Sequence, residues 1–250
     1  MKIKLFILFS LLLFILLFVF LPVKHLVGFL PSDSHIEIAS AEGKIWKGEA
    51  LQVKYQDKLI AEKLIWAIDW SALADMQLRI DLDFNNPAGG LKGQGSVSLG
   101  WSGWSVDDLS VKANVLKMSY YFNILSAISM QGKAALEIKH ASLGDPYCQQ
   151  VNGYIDWDYG LLGTSLGNVD LGSSHADLDC ESGNLVAVIK QTSSDLTSKT
   201  KVVFEKNRIF RVKGKLKRGA LPASFNRILR LLGPENSAGE KSFNFSSRLY

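Results

Sequence analysis

Apolar and polar residues alternate along much of this 250-residue chain, and this period of two constrains the fold more than any other sequence feature. Residues 78–84, Leu-Arg-Ile-Asp-Leu-Asp-Phe, follow the pattern without an error. Because successive side chains of a strand point to opposite faces, the pattern predicts half-buried strands with one apolar and one wet face. It recurs in residues 51–55, 136–139, 210–217 and 243–249.

Short polar clusters that favour turns separate the alternating segments. They lie at residues 85–90, 143–146, 181–184 and 205–208. This spacing is typical of hairpin connections and predicts an antiparallel meander. A doubly wound parallel sheet would need long amphipathic helices between its strands, and the sequence offers too few of them.

Two segments have helical character instead. Residues 120–130 are compatible with a short helix. Residues 221–232 place their apolar side chains on one stripe, and Gly233 and Pro234 then end the helix. This basic amphipathic helix either lies on a membrane surface or packs on the apolar face of the sheet, and packing is the commoner outcome. The stripe consists of Leu221, Phe225, Ile228, Leu229 and Leu232.

A nearly unbroken apolar run of 19 residues at positions 5–23 predicts a membrane anchor. As a helix it would reach ~28 Å, close to the ~30 Å hydrocarbon core of a bilayer. The residues that follow are too bulky for a signal-peptidase site, so we interpret the run as an uncleaved signal-anchor. A buried core helix is the alternative. Lys2 and Lys4 before the run, opposed by Lys24 after it, favour a cytoplasmic N-terminus only weakly.

The two cysteines, Cys148 and Cys180, lie 32 positions apart in the polar body of the chain. Their spacing matches no redox or zinc signature, and only four histidines are available to a metal site. A disulfide in an oxidising compartment is favoured, and two buried free thiols are the alternative. The anchor predicts a cytoplasmic tip and a membrane-spanning segment at residues 1–23. Together with the cysteines, it favours a single domain at residues 24–250 outside the cytoplasm.

The composition predicts a globular body with unevenly distributed charge. Hydrophobic residues make up 47% of the chain and charged residues 21%. Residues 24–200 hold 14 basic and 21 acidic residues, whereas residues 201–250 hold 12 and 3. Such a split is compatible with neutralisation within the chain, with an acidic partner or with anionic lipid. Nucleic acid is not an expected partner for a domain outside the cytoplasm.

The strongest charge feature is a basic strand face at residues 211–218. Such a face is most often solvated or paired with acidic residues on neighbouring strands, and an interaction surface is the functional alternative. The candidate surface consists of Arg211, Lys213, Lys215, Lys217 and Arg218.

No catalytic constellation is legible, so we expect no enzyme, no metal site and no cofactor. The sequence lacks a G-x-S-x-G elbow, an H-E-x-x-H helix, a P-loop and a dinucleotide fingerprint. Paired carboxylates such as Asp81 and Asp83 are typical of a solvated strand face. His140 and His175 have no acidic or cysteine partner at ligand spacing and are expected at the surface or in turns.

At residues 43–50, Gly-Lys-Ile-Trp-Lys-Gly-Glu-Ala, the sequence begins to resemble the protein N family of the bacterial type II secretion system. That family has a short membrane anchor, a G-x-[LIV]-W-x-G-x-A stretch and then a strand with a Trp, which residues 64–70 supply here. Later matches keep the family order and cover nearly the whole chain. They are the Gly-rich hairpin at 89–99, Asp-Leu-Ser at 108–110, the strands at 132–136 and 151–157, and Leu-Leu-Gly-Pro at 231–234.

The resemblance implies a mainly β fold, with one N-terminal transmembrane helix followed by a curved antiparallel sheet. That sheet would be open, groove-forming or a half-barrel, with one or two short helices. Cys148 and Cys180 fall where the family has its cysteine pair. The implied function is that of a non-catalytic, single-pass inner-membrane component of type II secretion. Its N-terminus would be cytoplasmic, and its periplasmic domain would contact other subunits during protein export.

Two further functions stay open. The family is distantly similar to AsmA-like envelope proteins, whose curled sheets form an apolar groove, so binding or transfer of lipid is the alternative. A hydrolase is the third hypothesis, for which no nucleophile–base pair is legible.

The motif positions are expected to be structural, with glycines flanking a hairpin and tryptophans, Trp70 among them, in the core of a sheet face. They are Gly43, Trp46, Gly48, Trp66 and Trp157.

The sequence departs from the family pattern in two places. Lys47 stands where the family often has Gln. Residues 191–200 are unusually polar for the strand and turn expected there, which puts their pairing in doubt.

Overall fold

Thirteen strands in the described part of the chain form one antiparallel sheet, in which each strand pairs with the strands before and after it in sequence. The computed structural model describes residues 6, 9, 10, 13, 20–27, 35–101, 103–121 and 128–248. The strands are β1 Ile36–Lys44, β2 Lys47–Tyr55, β3 Lys58–Asp69, β4 Leu78–Asn86, β5 Leu91–Gly100, β6 Gly103–Asn114, β7 Ser129–Gly144, β8 Cys148–Thr164, β9 Gly167–Glu181, β10 Asn184–Thr192, β11 Leu196–Phe204, β12 Ile209–Arg218 and β13 Glu240–Arg248. The helices are α1 Lys24–Val27, α2 Val115–Tyr121 and α3 Asn226–Leu231, with 3-10 helices at Trp70–Asp75 and Ala223–Phe225.

This strand order confirms the predicted antiparallel meander. The five alternating segments lie in β2, β4, β7, β12 and β13, apart from residue 249, which lies outside the described residues. The four polar clusters connect β4 to β5, β7 to β8, β9 to β10 and β11 to β12. The unusually polar residues 191–200 form the end of β10, a turn and the start of β11, and these two strands pair in continuous register.

One face of the sheet is apolar from edge to edge. The pairing registers align one residue of every strand into a single row, and twelve of its thirteen members are apolar or glycine. Ile155 in the middle of this row is 37% exposed, so the apolar face is only partly covered. The row runs Ala41, Ala50, Leu64, Phe84, Gly93, Val111, Leu136, Ile155, Ala176, Ile189, Thr200, Gly214 and Phe243.

The opposite, polar face changes its charge from one edge to the other. The next row of paired residues is acidic in the first half of the sheet and basic toward its end. The uneven charge of the sequence is therefore laid out as a gradient across one surface. This row runs Glu42, Glu49, Ile65, Asp83, Gln94, Ser110, Glu137, Tyr154, Asp177, Val188, Lys201, Lys213 and Asn244.

Backbone irregularities accumulate in the long central strands. β7, β8 and β9 have 16, 17 and 15 residues, and the β7–β8 and β8–β9 pairs contain five register shifts. An extra residue on one strand bends that strand and increases its twist. These bulges therefore bend the middle of a sheet that is too wide to stay flat.

The two ends of the strands differ in what lies beside them. We call the end with the turns after β1, β3 and β5 the tryptophan end, because Trp46, Trp70 and Trp101 lie in those turns. We call the opposite end the helix end, because α2 follows β6 there and α3 follows β12. At the tryptophan end, Cys148 and Cys180 form a disulfide with Cα atoms 5.5 Å apart, which confirms the predicted pairing and joins β8 to β9.

The C-terminal helical segment packs on the sheet at the helix end. Leu221, Phe225 and Leu229 of the predicted stripe are buried in one cluster with Val169 of β9 and Leu196 of β11. Of the two arrangements that the sequence allowed, the structure therefore confirms packing on the sheet. The segment is shorter than predicted, since it consists of one 3-10 turn and the six residues of α3.

The first predicted helix, at residues 120–130, was placed too late. The structure has α2 at Val115–Tyr121, and Ser129 and Met130 already belong to β7. The side chain of Asn114 explains the early start, because its Oδ1 accepts a hydrogen bond of 3.1 Å from the backbone N–H of Lys117, as an N-cap does. Residues 122–127 lie outside the described residues.

The predicted anchor at residues 5–23 lies largely outside the described residues. In the part of the chain that the structure describes, no helix combines the length and the hydrophobicity that crossing a membrane requires. The end of the run is held by the sheet, because the N–H of Val23 donates to the carbonyl of Gly43 over 3.1 Å and Pro22 bridges Lys44.

Candidate interaction surface

The five basic residues predicted as an interaction surface all lie on β12. Arg211, Lys213, Lys215 and Lys217 alternate along the polar face and are exposed. Arg218 has contacts inside the chain, since its guanidinium donates to the side-chain oxygen of Asn226 over 2.5 Å and to the carbonyl of Leu221 over 3.0 Å. It thereby ties β12 to the C-terminal helical segment.

Neighbouring strands extend the basic face beyond the residues that sequence reasoning identified. Lys199 lies directly opposite Lys215, and Lys201 lies directly opposite Lys213. Like charges in directly opposite positions destabilise a sheet. The signal was legible, because lysine occupies alternate positions in residues 199–201. The basic surface consists of Lys190, Lys199, Lys201, Arg211, Lys213, Lys215 and Lys217.

Within the described residues, acidic side chains pair with four of the seven residues of the basic surface. Arg211 pairs with Glu205 at 2.8 Å and Lys215 with Glu240 at 3.3 Å. Hydrogen bonds from Asn236 and Lys215 lower the pKa of Glu240. Lys190 pairs with Asp177, and Lys201 with Glu181. Among the described residues, Lys199, Lys213 and Lys217 have no carboxylate within 4.0 Å, so their charge is available to an anionic group.

Two histidines on the polar face contact aspartate side chains, of which Asp107 and Asp156 lie on adjacent strands and Asp177 lies on the same strand as His175. His140 Nδ1 lies 2.7 Å from Asp107, and His175 lies 2.6 Å from Asp156 through Nδ1 and 3.1 Å from Asp177 through Nε2. The bonds to Asp156 and Asp177 raise the pKa of His175, and the bond to His175 lowers the pKa of Asp177. Both histidines therefore have acidic partners that their sequence spacing did not reveal, because Asp107 and Asp156 lie on other strands. Both lie on strands and not in turns.

These pairs do not build a metal centre. Over the residues that the structure describes, no group of three or more His, Cys, Asp or Glu side chains is arranged to hold a metal ion.

The glycines of the G-x-[LIV]-W-x-G-x-A stretch allow a close approach at the β1–β2 turn. Gly43 has a φ of +95°, a conformation that L residues with a side chain rarely adopt. Gly48 pairs with Trp66, and a Cβ on Gly48 would lie 2.7 Å from the Trp66 ring. The Trp66 indole N–H donates to the carbonyl of Ile45 over 2.7 Å. The motif thus fixes a turn by placing a tryptophan against a glycine.

The other tryptophans divide between the sheet and its end. Trp157 is partly buried and donates to the carbonyl of Gln131 over 3.1 Å, and its ring lies against Gly132. Trp46 is partly buried near Trp70, with ring centroids 6.0 Å apart. Trp70 itself is 53% exposed, so its assignment to the core was wrong.

A cavity of about 400 Å³ opens at the helix end between β5 and β8. Part of its wall is apolar, formed by Leu91, Ala113 and Ala134. Three lysines also line it, and two of them face each other across β5 and β6. These are Lys92, Lys112 and Lys133. Sequence reasoning missed this site, because its residues come from five different strands and one turn.

Comparison with known proteins agrees with the motif order. The profile of the family described as type II secretion system (T2SS), protein N, matches residues 34–244. Relatives named type II secretion system protein N include one from Vibrio cholerae serotype O1, 27% identical over 244 residues that cover 97% of this chain and 96% of the relative. Another, from Pectobacterium carotovorum subsp. carotovorum, is 29% identical, covering 90% and 89%.

A third relative of that name, from Aeromonas hydrophila, is 26% identical over 238 residues and covers 93% of each chain. No solved structure matches this chain. The family profile spans most of the sheet, from just before β1 into β13. The chain belongs to the type II secretion system protein N family and is a component of that secretion machinery.

Proposed function

We propose that this chain is a non-catalytic, single-pass inner-membrane subunit of the type II secretion system. Its periplasmic β domain takes part in protein export across the outer membrane by contacting other subunits. The observation that carries the proposal is the basic surface, which keeps three lysines outside ion pairs in the described structure. They are Lys199, Lys213 and Lys217.

The arrangement of these lysines favours binding over simple solvation. Lys199 faces Lys215 and Lys201 faces Lys213, so the folded sheet carries repulsion that a partner with acidic side chains would relieve. Charge complementarity of this kind mainly sets the rate and specificity of association. A subunit presenting a row of carboxylates at strand spacing fits this surface.

The exposure of the N-terminal apolar residues supports the anchor. Phe6, Phe9 and Phe20 are 70%, 63% and 62% exposed. A core helix would bury these side chains against the sheet, whereas a membrane anchor presents them to lipid. The disulfide at Cys148 and Cys180 supports an oxidising compartment for the domain that follows.

The test places a photoreactive amino acid at Lys213 of the full chain in secreting cells, with Lys139 of β7 as the matched position. We expect adducts with secretion subunits from position 213 and none from position 139. Lys213→Glu and Lys139→Glu change the net charge equally, and only Lys213→Glu should reduce the amount of exported protein in the medium. Wild-type export by Lys213→Glu, without subunit adducts at 213, would overturn the proposal.

The cavity at the helix end favours a second candidate function, the binding of a lipid of the cell envelope. It combines an apolar wall with the lysines of residues 92, 112 and 133, as a site for an anionic amphiphile would.

The second candidate is tested by purifying the full chain in mild detergent and measuring co-purified phospholipid by mass spectrometry. We expect anionic phospholipid in the wild type and its loss from the Lys92→Glu/Lys112→Glu variant. The Lys213→Glu variant is the control and should retain it. A wild-type chain that carries no phospholipid would exclude this function.

A further inference from the structure

The tryptophan end of the sheet carries a large apolar surface that the rest of the described chain leaves uncovered. Trp101 is 92% exposed, Met76 72% and Trp104 58%. Trp70, Leu78 and Leu99 are exposed as well. Isolated apolar side chains at a surface are ordinary, but a contiguous group marks a site of contact with lipid or protein.

Strand register makes these six residues one patch. Leu78 at the start of β4 lies directly opposite Leu99, and Leu99 lies directly opposite Trp104. Trp101 occupies the turn between β5 and β6, while Trp70 begins the 3-10 helix between β3 and β4 and Met76 follows it. The apolar patch is therefore formed by two consecutive connections at one end of the sheet.

The apolar N-terminal run ends at the same end of the sheet. The N–H of Val23 donates to the carbonyl of Gly43 over 3.1 Å, beside the β1–β2 turn. Lys44 Nζ lies 4.7 Å from the ring centroid of Phe20 and 5.9 Å from that of Trp46. A continuous path of contacts therefore leads from the end of the run, through Trp46 and its neighbour Trp70, to the patch.

The residue types at this end are those of a membrane interface. Five of the six tryptophans of the chain lie at or beside this end, at positions 46, 66, 70, 101 and 104. Tryptophan is enriched where hydrocarbon meets head groups, and lysines such as Lys44 and Lys47 extend their ammonium groups toward water there. Asp69 and Asp75 lie close to these tryptophans, so the local charge does not favour anionic lipids over neutral ones. The Asp69 carboxylate accepts hydrogen bonds from the backbone N–H and the hydroxyl of Ser71.

We infer that the tryptophan end of the sheet sits in the head-group region of the bilayer that the N-terminal run spans, with Trp101 and Trp104 in contact with lipid. The inference rests on the anchor in the proposed function and adds an orientation to it. In this orientation the tryptophan end of the strands is in contact with the membrane. The helix end, with its cavity, points away from the bilayer.

The test uses the full chain in vesicles of phosphatidylethanolamine and phosphatidylglycerol, with or without brominated acyl chains that quench nearby tryptophans. Wild type is compared with Trp101→Phe/Trp104→Phe and with Trp157→Phe, whose replaced side chain lies away from this end. The first variant removes two of the five tryptophans of this end, the two placed in contact with lipid, so we expect its quenched intensity to fall by about half. Trp157→Phe should leave the quenched intensity unchanged.

Equal quenched intensity in wild type and Trp101→Phe/Trp104→Phe would overturn the inference. Flotation of the same vesicles after an alkaline carbonate wash tests the anchor separately. A chain that floats but shows no contribution of Trp101 and Trp104 keeps its anchor and lacks the proposed orientation. A chain that is washed off the vesicles refutes the anchor, whatever the quenching shows.

Discussion

Large apolar side chains are buried at the helix end of the sheet and exposed at its tryptophan end. At the helix end, Leu221, Phe225 and Leu229 from a distant part of the sequence cover β9 and β11, and all three are buried. At the tryptophan end, Trp101 and Trp104 are exposed. Alternation thus sets which face of a strand is apolar, but a separate segment decides whether that face is buried within the chain.

The difference separates side chains that stabilise the fold from those free to contact something else. Burial removes apolar area from water at about 25 cal/mol per Å² and is lost when a buried side chain is truncated. An exposed side chain contributes little of this free energy. Substitutions at the two ends should therefore differ in how much they lower the free energy of unfolding.

Phe225→Ala should have the largest effect, lowering the free energy of unfolding by about 3–5 kcal/mol, because it leaves a cavity under the C-terminal helix. Urea unfolding of the full chain in mild detergent, followed by circular dichroism, measures it. Phe245→Ala is the matched control, since Phe245 of β13 is 53% exposed and should cost much less. Equal losses in the two variants would mean that the helix end is not a stabilising core.

Removal of the disulfide should come next. Cys148→Ser/Cys180→Ser frees β8 from β9 at the tryptophan end, and in the chain-entropy model a loop of this length contributes about 3–4 kcal/mol. The same unfolding experiment measures the loss. Reductant should lower the stability of the wild type and leave the double variant unchanged. A wild type that is insensitive to reductant under unfolding conditions would contradict the prediction.

Local patterns made the sheet and its turns predictable. Alternation over residues 78–84 and 210–217 depends only on neighbours in sequence, and both segments became strands with the expected faces. The start of α2 was predicted too late because it depends on one side chain, that of Asn114, which an apolar pattern does not include. The bulges, which let Asp108 adopt a φ of +50°, leave no periodic signal either.

The candidate sites were predictable only where one strand supplies the residues. The alternating lysines of β12 and of residues 199–201 are both visible in the sequence, whereas the register between β11 and β12 was needed to place Lys199 and Lys201 directly opposite Lys215 and Lys213. For the same reason, the sequence did not predict the contact of His140 with Asp107 or that of His175 with Asp156. Trp70 was assigned to the core because aromatic residues in a β protein are usually buried, and only the three-dimensional structure reveals that it is 53% exposed.

The polar face between the two ends should respond weakly to pH. Hydrogen bonds to Asp156 and Asp177 raise the pKa of His175 above 6.5, so its stabilisation is complete below that pH and is lost as pH rises through the raised value. Asp177, whose pKa is lowered, loses its contribution only as pH falls through its value below 3.8. The midpoint of thermal unfolding should therefore decrease slightly from pH 6 to pH 8 on account of His175.

The His175→Gln variant isolates this contribution. Its unfolding midpoint should change less between pH 6 and pH 8 than that of the wild type, and His25→Gln should behave as the wild type does. The effect is small because the His175 side chain is 44% exposed, which lets water screen the pair. An identical pH dependence in wild type and His175→Gln would show that these bonds contribute nothing.

The smallest effect is expected at Trp101, the most exposed aromatic side chain of the tryptophan end. Trp101→Ala should leave the free energy of unfolding in detergent within about 0.5 kcal/mol of the wild type, because 92% of the side chain is already exposed. A loss comparable to that of Phe225→Ala would mean that Trp101 supports the sheet, and the two ends would then be alike. Unchanged stability with reduced quenching by brominated lipid would instead assign Trp101 to the membrane. Burial against protein and contact with lipid are thus separable properties of one alternating sheet.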